Sequence, residues 1–152
     1  MVKIAIEIGQ KAPDFALKNQ NQEDIKLRNF RGKRVILAFY PFDFSPVCTD
    51  EMSCFQADLK KLNSADSKVL AISVDSHWSH KAFAGKLNLN YDLLSDFNKE
   101  ASKKYGVLRK EGFSNRAYFI IDKDGVIRYR HVGFSKAFLP VYEREIIELL
   151  KQ

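Results

Sequence analysis

Cysteine is scarce in this chain of 152 residues: Cys48 and Cys54 are the only two. Two cysteines cannot staple a small secreted scaffold, and with no Cys-x-x-Cys pair a two-thiol disulfide reductase is disfavoured. Long apolar runs are missing too. The longest, such as Val35-Ile36-Leu37-Ala38-Phe39-Tyr40, fall far short of the ~20 residues that cross a bilayer. The first residues carry Lys3 but no apolar h-region or small-residue cleavage site, so no secretory leader is expected. A reducing, cytoplasmic setting and no membrane partner follow as expectations. Neither Gly-x-Gly-x-x-Gly nor a Gly-rich lysine loop is present to cradle a phosphate. Lys and Arg total 25 against 19 acidic residues, a net charge of +6, but no basic cluster or reading motif accompanies it. A nucleic-acid partner is therefore not expected. There is no repeat, low-complexity tract or linker, and one domain over residues 1–152 is expected.

What the chain does have is ordinary globular composition, 45% apolar and 29% charged. Residues 2–8 alternate partly and suggest a short strand, and 12–17 an extended piece constrained by Pro13. After a turn at 30–33, residues 35–40 and 69–74 are continuous runs of strand formers, the pattern of strands buried on both faces. Between them a helix is expected to enter at Ser45, with Pro46 in first position and Met52, Phe55, Leu59 and Leu62 at helical spacing. A helix over 77–87 turns Trp78, Ala82 and Phe83 inward, and a shorter one over 98–105 stops at Gly106. Residues 117–121 and 126–132 flank Asp122-Lys123-Asp124-Gly125, a hairpin signal. Phe138, Val141, Tyr142, Ile146, Leu149 and Leu150 mark a final helix. The order fits an α/β domain of thioredoxin-like type, a central mixed β-sheet flanked by helices with an N-terminal extension and one insertion. Ferredoxin-like and flavodoxin-like folds compete, the latter weakened by the antiparallel hairpin.

With Ser45 as N-cap, Cys48 sits in the first turn of its helix. Backbone N–H groups there lack helical partners, and with the helix dipole they favour a thiolate, the nucleophilic form of cysteine. An isolated cysteine is more often an inert core residue. The strand–Pro–loop–helix setting makes Cys48 the candidate nucleophile.

Pro41, Ser45 and Cys48 form Pro-x-x-x-Ser-x-x-Cys, which resembles the active-site signature of the peroxiredoxins. The resemblance extends over Gly9-Gln10-Lys11-Ala12-Pro13-Asp14-Phe15, Phe39-Tyr40-Pro41, Ser73-Val74-Asp75-Ser76, Ser79-His80-Lys81-Ala82-Phe83 and Arg116-Ala117-Tyr118-Phe119-Ile120-Ile121-Asp122. It implies a thioredoxin-like fold and reduction of hydrogen peroxide and organic hydroperoxides without metal or other cofactor. Cys48 resembles the peroxidatic cysteine that becomes a sulfenic acid, and Ser45 the hydroxyl that orients the peroxide. Pro41 resembles the shield of the thiolate pocket, and Arg116 the arginine that holds the sulfur and peroxide oxygens. Such groups suit cleavage of an O–O bond, which needs in-line attack and stabilised charge on the leaving oxygen. Thioredoxin or another thiol is the implied reductant, acting on a monomer or homodimer. A peroxide sensor or redox relay is the alternative function.

The chain is most similar to the bacterioferritin-comigratory, or Q-type, branch and to the one-cysteine branch typified by alkyl hydroperoxide reductase E. Glu51 matches the Q-type pattern as a supporting residue that orients an arginine, though plain helix N-terminal charge explains it almost as well. Thr49 reads as local capping support. Q-type members often carry a resolving cysteine five residues after the first, whereas here that position is Ser53 and Cys54 follows one later. Cys54 keeps three readings: an inert core thiol, a resolving cysteine that needs the helix to unwind, or a contact in another role. Phe42 and Phe44 flank Cys48 and read as walls of its pocket, favouring apolar peroxide tails. His77 and His80 beside Asp75 have the spacing of a metal site but lack further ligands. Asp96 and Glu100 read as helix-surface charge.

Overall fold

The computed structural model describes residues 6–64 and 66–133. Among these, seven strands form one sheet: β1 (Ala16–Lys18), β2 (Asp24–Lys26), β3 (Arg34–Phe39), β4 (Ser67–Ser73), β5 (Asp92–Ser95), β6 (Arg116–Ile121) and β7 (Ile127–Gly133). The α-helices are α1 (Pro46–Ala57), α2 (Leu59–Ser64), α3 (His77–Leu87) and α4 (Glu100–Lys104), with a 3-10 turn at Leu27–Phe30. The strands lie in the order β2-β1-β5-β4-β3-β6-β7. β3, β4 and β5 run parallel, while β6 and β7 on one side and β1 and β2 on the other pair antiparallel.

The apolar runs are continuous because both faces of the central strands are covered. Along β3 and just beyond it, Ile36, Ala38 and Tyr40 join a core with Met52 and Phe55 of α1 and Phe83 of α3. Val35, Leu37 and Phe39 pack on the opposite side with Phe15, Leu17, Ala101 and Tyr105. This alternation is the period of two of a pleated strand, read into two layers. It gives the thioredoxin-like, helix-flanked mixed sheet that the element order suggested; among the described residues three strands run parallel, where a flavodoxin-like sheet would have five. The β6–β7 hairpin forms at its expected site. Gly125 takes φ +83° there, and the Asp122 carboxylate accepts from the backbone N–H groups of Asp124 and Val126, each at 2.9 Å.

Several elements differ from expectation. The helix entered at Ser45 breaks at Asp58, and α2 restarts with the Leu62 N–H donating to the Asp58 carbonyl. No glycine or proline marks that break. β5 offers only Leu93 and Leu94 as apolar signal, too short a run to be assigned a period. In α3, Trp78 is 66% exposed and Ala82 is exposed; the buried stripe is His80, Phe83 and Ala84, with Leu87 half-buried. Those four positions are the helical face, and Trp78 lies off it. Residues 6–8 lie outside any strand. The rest of the suggested 2–8 strand and the expected final helix over residues 138–150 fall outside the described residues.

Candidate active site

β3 ends at Phe39 and the chain turns through residues 40–45 into α1. Ser45 is the N-cap with extended backbone (φ −67°, ψ 146°), and Pro46 takes the first helical position. The first helical bond runs from the Thr49 N–H to the Ser45 carbonyl at 2.9 Å. The N–H groups of Val47 and Cys48 therefore have no helical acceptor. The Ser45 hydroxyl does not cap the helix; it donates to the Phe42 carbonyl at 3.1 Å and so tightens the loop. Pro41, at the start of that loop, is buried.

Arg116, the first residue of β6, meets this turn from the sheet. Its Nη2 donates to Cys48 Sγ at 3.3 Å, and its Nη1 to Glu51 Oε1 at 2.5 Å. Tyr118, two residues on and on the same face of β6, donates its hydroxyl to the second oxygen of Glu51. Cys48, Glu51 and Tyr118 are fully buried and Arg116 is 3% exposed. Among the described residues, Arg116 Nε has no hydrogen-bond partner, and on the planar guanidinium it lies next to the Nη2 that reaches the sulfur. Cys48, Arg116 and Glu51, singled out from the sequence, meet here, and Tyr118 joins them unforeseen. The signal was available in the alternation of β6, which puts Arg116 and Tyr118 on one face.

Burial pushes the Glu51 carboxyl up to about 8, with the Arg116 charge and hydrogen bond pulling the other way. For Arg116, burial works against the charge, but Glu51 and Cys48 outweigh it and raise its proton affinity further. The guanidinium is thus a fixed cation at the sulfur. Cys54 lies on the same helix, six residues from Cys48, an axial separation of about 9 Å at ~1.5 Å per residue. Burial, then Asp58, Asp50 and Glu51, raise the pKa of its half-buried thiol. The Tyr91 hydroxyl donates to the Met52 carbonyl at 2.7 Å, pinning α1 between the two cysteines.

The loop carries a second buried cluster. Asp43 accepts from the Tyr40 hydroxyl at 2.6 Å, and from the Ser79 hydroxyl and His80 Nδ1 at 2.8 Å each. The Asp43 backbone N–H donates to Asp75 at 2.9 Å. His80 Nε2 faces the Leu94 carbonyl at 3.1 Å. His77 does not join this cluster; its ring lies against Trp78, tilted by 45° with centroids 4.6 Å apart. Asp43, Asp75 and His80 do bring three ligand-type atoms within 4.8 Å of one another, yet they are engaged with each other and with neighbouring hydroxyls. Asp96 is not surface charge. It is 1% exposed and caps α4 by accepting from the N–H groups of Ala101 and Ser102 at 3.0 and 2.8 Å. Phe42 and Phe44 are 41% and 47% exposed, with Phe42 on Phe113 and Phe44 on Phe83 at 4.8 and 5.0 Å between centroids.

Among the described residues no helix is long and apolar enough to cross a membrane. A family model described as the AhpC/TSA family matches residues 8–130. The chain is 39% identical over 160 residues to the mitochondrial thioredoxin-dependent peroxide reductase of Drosophila melanogaster, spanning 97% of this chain and 67% of that protein. It is 38% identical over 128 residues to alkyl hydroperoxide reductase E of Mycobacterium bovis, covering 82% and 84% of the two. The reduced 2-Cys peroxiredoxin of Plasmodium vivax superposes with a TM-score of 0.86 at 29% identity, over 95% of this chain and 96% of that one.

Proposed function

The chain belongs to the AhpC/TSA family of peroxiredoxins, and from that premise and the site geometry we propose that Cys48 is its peroxidatic nucleophile, held by Arg116 and Glu51. The enzyme is a thiol-dependent peroxidase. The single observation carrying the residue assignment is the 3.3 Å contact of the buried Arg116 guanidinium with the Cys48 sulfur at a helix N-terminus. In the first half-reaction the Cys48 thiolate attacks the terminal oxygen of a hydroperoxide. An S–O bond forms, the O–O bond breaks, and the leaving oxygen departs with a proton as alcohol or water. The sulfur loses two electrons and ends as a sulfenic acid. Arg116 Nε–H is the free donor for a peroxide oxygen, and Nη2 keeps the sulfur in line. Pro41 excludes water, and Ser45 shapes the loop through Phe42.

For the second half-reaction we favour a one-cysteine cycle of the kind expected for the alkyl-hydroperoxide-reductase-E-like branch. An external thiol condenses with the sulfenic acid to a mixed disulfide, releasing water, and a further thiol returns Cys48 to the reduced state. Thioredoxin is the proposed donor, supported by likeness to the thioredoxin-dependent Drosophila enzyme, and the reducing cytoplasm is the proposed setting. Three features weigh against Cys54 as the resolving partner: the unbroken α1, the Tyr91 bond to Met52, and a thiol whose pKa burial and nearby carboxylates raise. One equivalent of hydroperoxide added to the wild type and to Cys54→Ser tests this. Both should stop at a dimedone-reactive sulfenic acid on Cys48 and turn over equally with dithiothreitol. A Cys48–Cys54 disulfide in the wild type would overturn the one-cysteine cycle.

A further inference from the structure

Among the described residues, two buried side-chain nitrogen or oxygen atoms have no hydrogen-bond partner, Arg116 Nε and Ser114 Oγ. Their residues stand two apart in the chain and are 3% and 1% exposed. Ser114 forms an isolated antiparallel bridge with Leu108, and the Asn115 N–H donates to the Val107 carbonyl at 2.8 Å, so the chain is already extended before β6 begins. Successive side chains of an extended chain alternate between faces. Burial follows that period: Ser114 and Arg116 are buried, Phe113 and Asn115 half-buried. Ser114 therefore shares the face of Arg116 and Tyr118, the face that packs on Cys48 and α1.

The sheet register sets the level of Ser114 along that face. β6 runs antiparallel to β3, with Phe39 opposite Ala117. Carried past the end of β3, the same register brings Ser114 beside Phe42, where the chain turns toward Ser45 and Cys48. The Phe113 ring lies against the Phe42 ring with centroids 4.8 Å apart, as that register requires. At ~3.3 Å per residue the Cα atoms of Ser114 and Arg116 stand roughly 7 Å apart, and Nε is the guanidinium nitrogen nearest the backbone. One small polar molecule can therefore meet both groups.

An unpaired buried hydroxyl is costly to the fold, and alanine would fill the same space without that cost. A partner that the chain itself does not supply accounts for both orphaned atoms at once. We propose that Ser114 is a further catalytic residue of the Cys48 site, its hydroxyl and the Arg116 Nε–H together receiving the leaving oxygen of the hydroperoxide. This rests on Cys48 being the peroxidatic cysteine. As the S–O bond forms and the O–O bond breaks, the electron pair of the O–O bond goes to that oxygen. Its negative charge grows, and a hydrogen bond donated to it strengthens in the transition state. Ser114 transfers no proton; the alkoxide or hydroxide takes one from solvent as it leaves.

The test takes Cys54→Ser as parent, so that thiolate absorbance reports Cys48 alone. Ser114→Ala removes the hydroxyl and adds nothing. Stopped-flow oxidation by hydrogen peroxide should slow roughly fivefold to tenfold, the scale of one hydrogen bond. The pH midpoint of the Cys48 thiolate should stay at the parent's, because the hydroxyl acts on the peroxide and not on the sulfur. The thermal midpoint should match the parent's or rise, because no bond within the protein is lost. An oxidation rate within about twofold of the parent's, a displaced thiolate midpoint, or a lowered thermal midpoint would each overturn the role of Ser114. A parent that forms no sulfenic acid on Cys48 would instead overturn the underlying assignment, and the role of Ser114 with it.

Discussion

Replacing Arg116 by lysine keeps the positive charge and removes the planar fork, so it isolates what the fork contributes. In the native site one guanidinium serves Cys48 Sγ at 3.3 Å, Glu51 Oε1 at 2.5 Å, and through Nε a third position without a protein partner. An ammonium is a compact and strongly hydrated point charge, and it cannot meet all three with fixed geometry. At least one charge-assisted hydrogen bond is lost in a buried site. Such a bond is worth about 1.5–3 kcal/mol, and at ~1.4 kcal/mol per decade the second-order rate of Cys48 oxidation should fall roughly tenfold to a hundredfold. Stopped-flow mixing of reduced enzyme with excess hydrogen peroxide measures that rate directly, and circular dichroism confirms that the variant is folded. A folded variant within about threefold of the wild-type rate would refute the bidentate role and leave Arg116 a mere counter-charge.

Tyr118→Phe removes one hydroxyl from the fully buried Glu51 and should slow Cys48 oxidation by about threefold to tenfold, the scale of one net hydrogen bond. In a Glu51→Gln background the same change should have less effect, as a double-mutant cycle would show; additive losses would contradict action through Glu51. Because burial raises the Glu51 carboxyl to about 8 in the folded chain, above its ordinary value of 4.5, the folded state binds the proton more tightly than the unfolded one. The stability from that proton is complete below the unfolded value and declines as pH rises toward about 8. Thermal midpoints from pH 5 to pH 8 should therefore fall more steeply in the wild type than in Glu51→Gln, and parallel profiles would count against the shift.

The sheet centre was legible in the sequence because strands buried on both faces must be apolar throughout, and β3 and β4 are. Cys48, Ser45 and Pro46 were legible because helix capping has local rules, and the structure puts the cysteine in the first turn as the spacing required. The contact of Cys48 with Arg116 spans 68 residues, and position in the chain alone does not reveal such proximity. The family pattern supplied it. Tyr118 and the Asp43–His80 cluster escaped for another reason: each belongs to a stretch that reads as ordinary core or polar turn, and only the packing of β6 on α1, or of α3 on the loop, gives the polar atoms their partners. Trp78 was misplaced because a short helix offers two or three apolar residues, and one large exposed side chain shifts the apparent face.

The central claim is that Cys48 is the atom that takes oxygen from the peroxide. Wild-type enzyme treated with one equivalent of hydrogen peroxide, quenched within the first turnover, trapped with dimedone and digested for peptide mass spectrometry tests it most directly. The adduct is expected on the peptide carrying Cys48 and not on the intact Cys48→Ser variant. A dimedone adduct confined to Cys54, or undiminished sulfenic acid formation in Cys48→Ser, would contradict it.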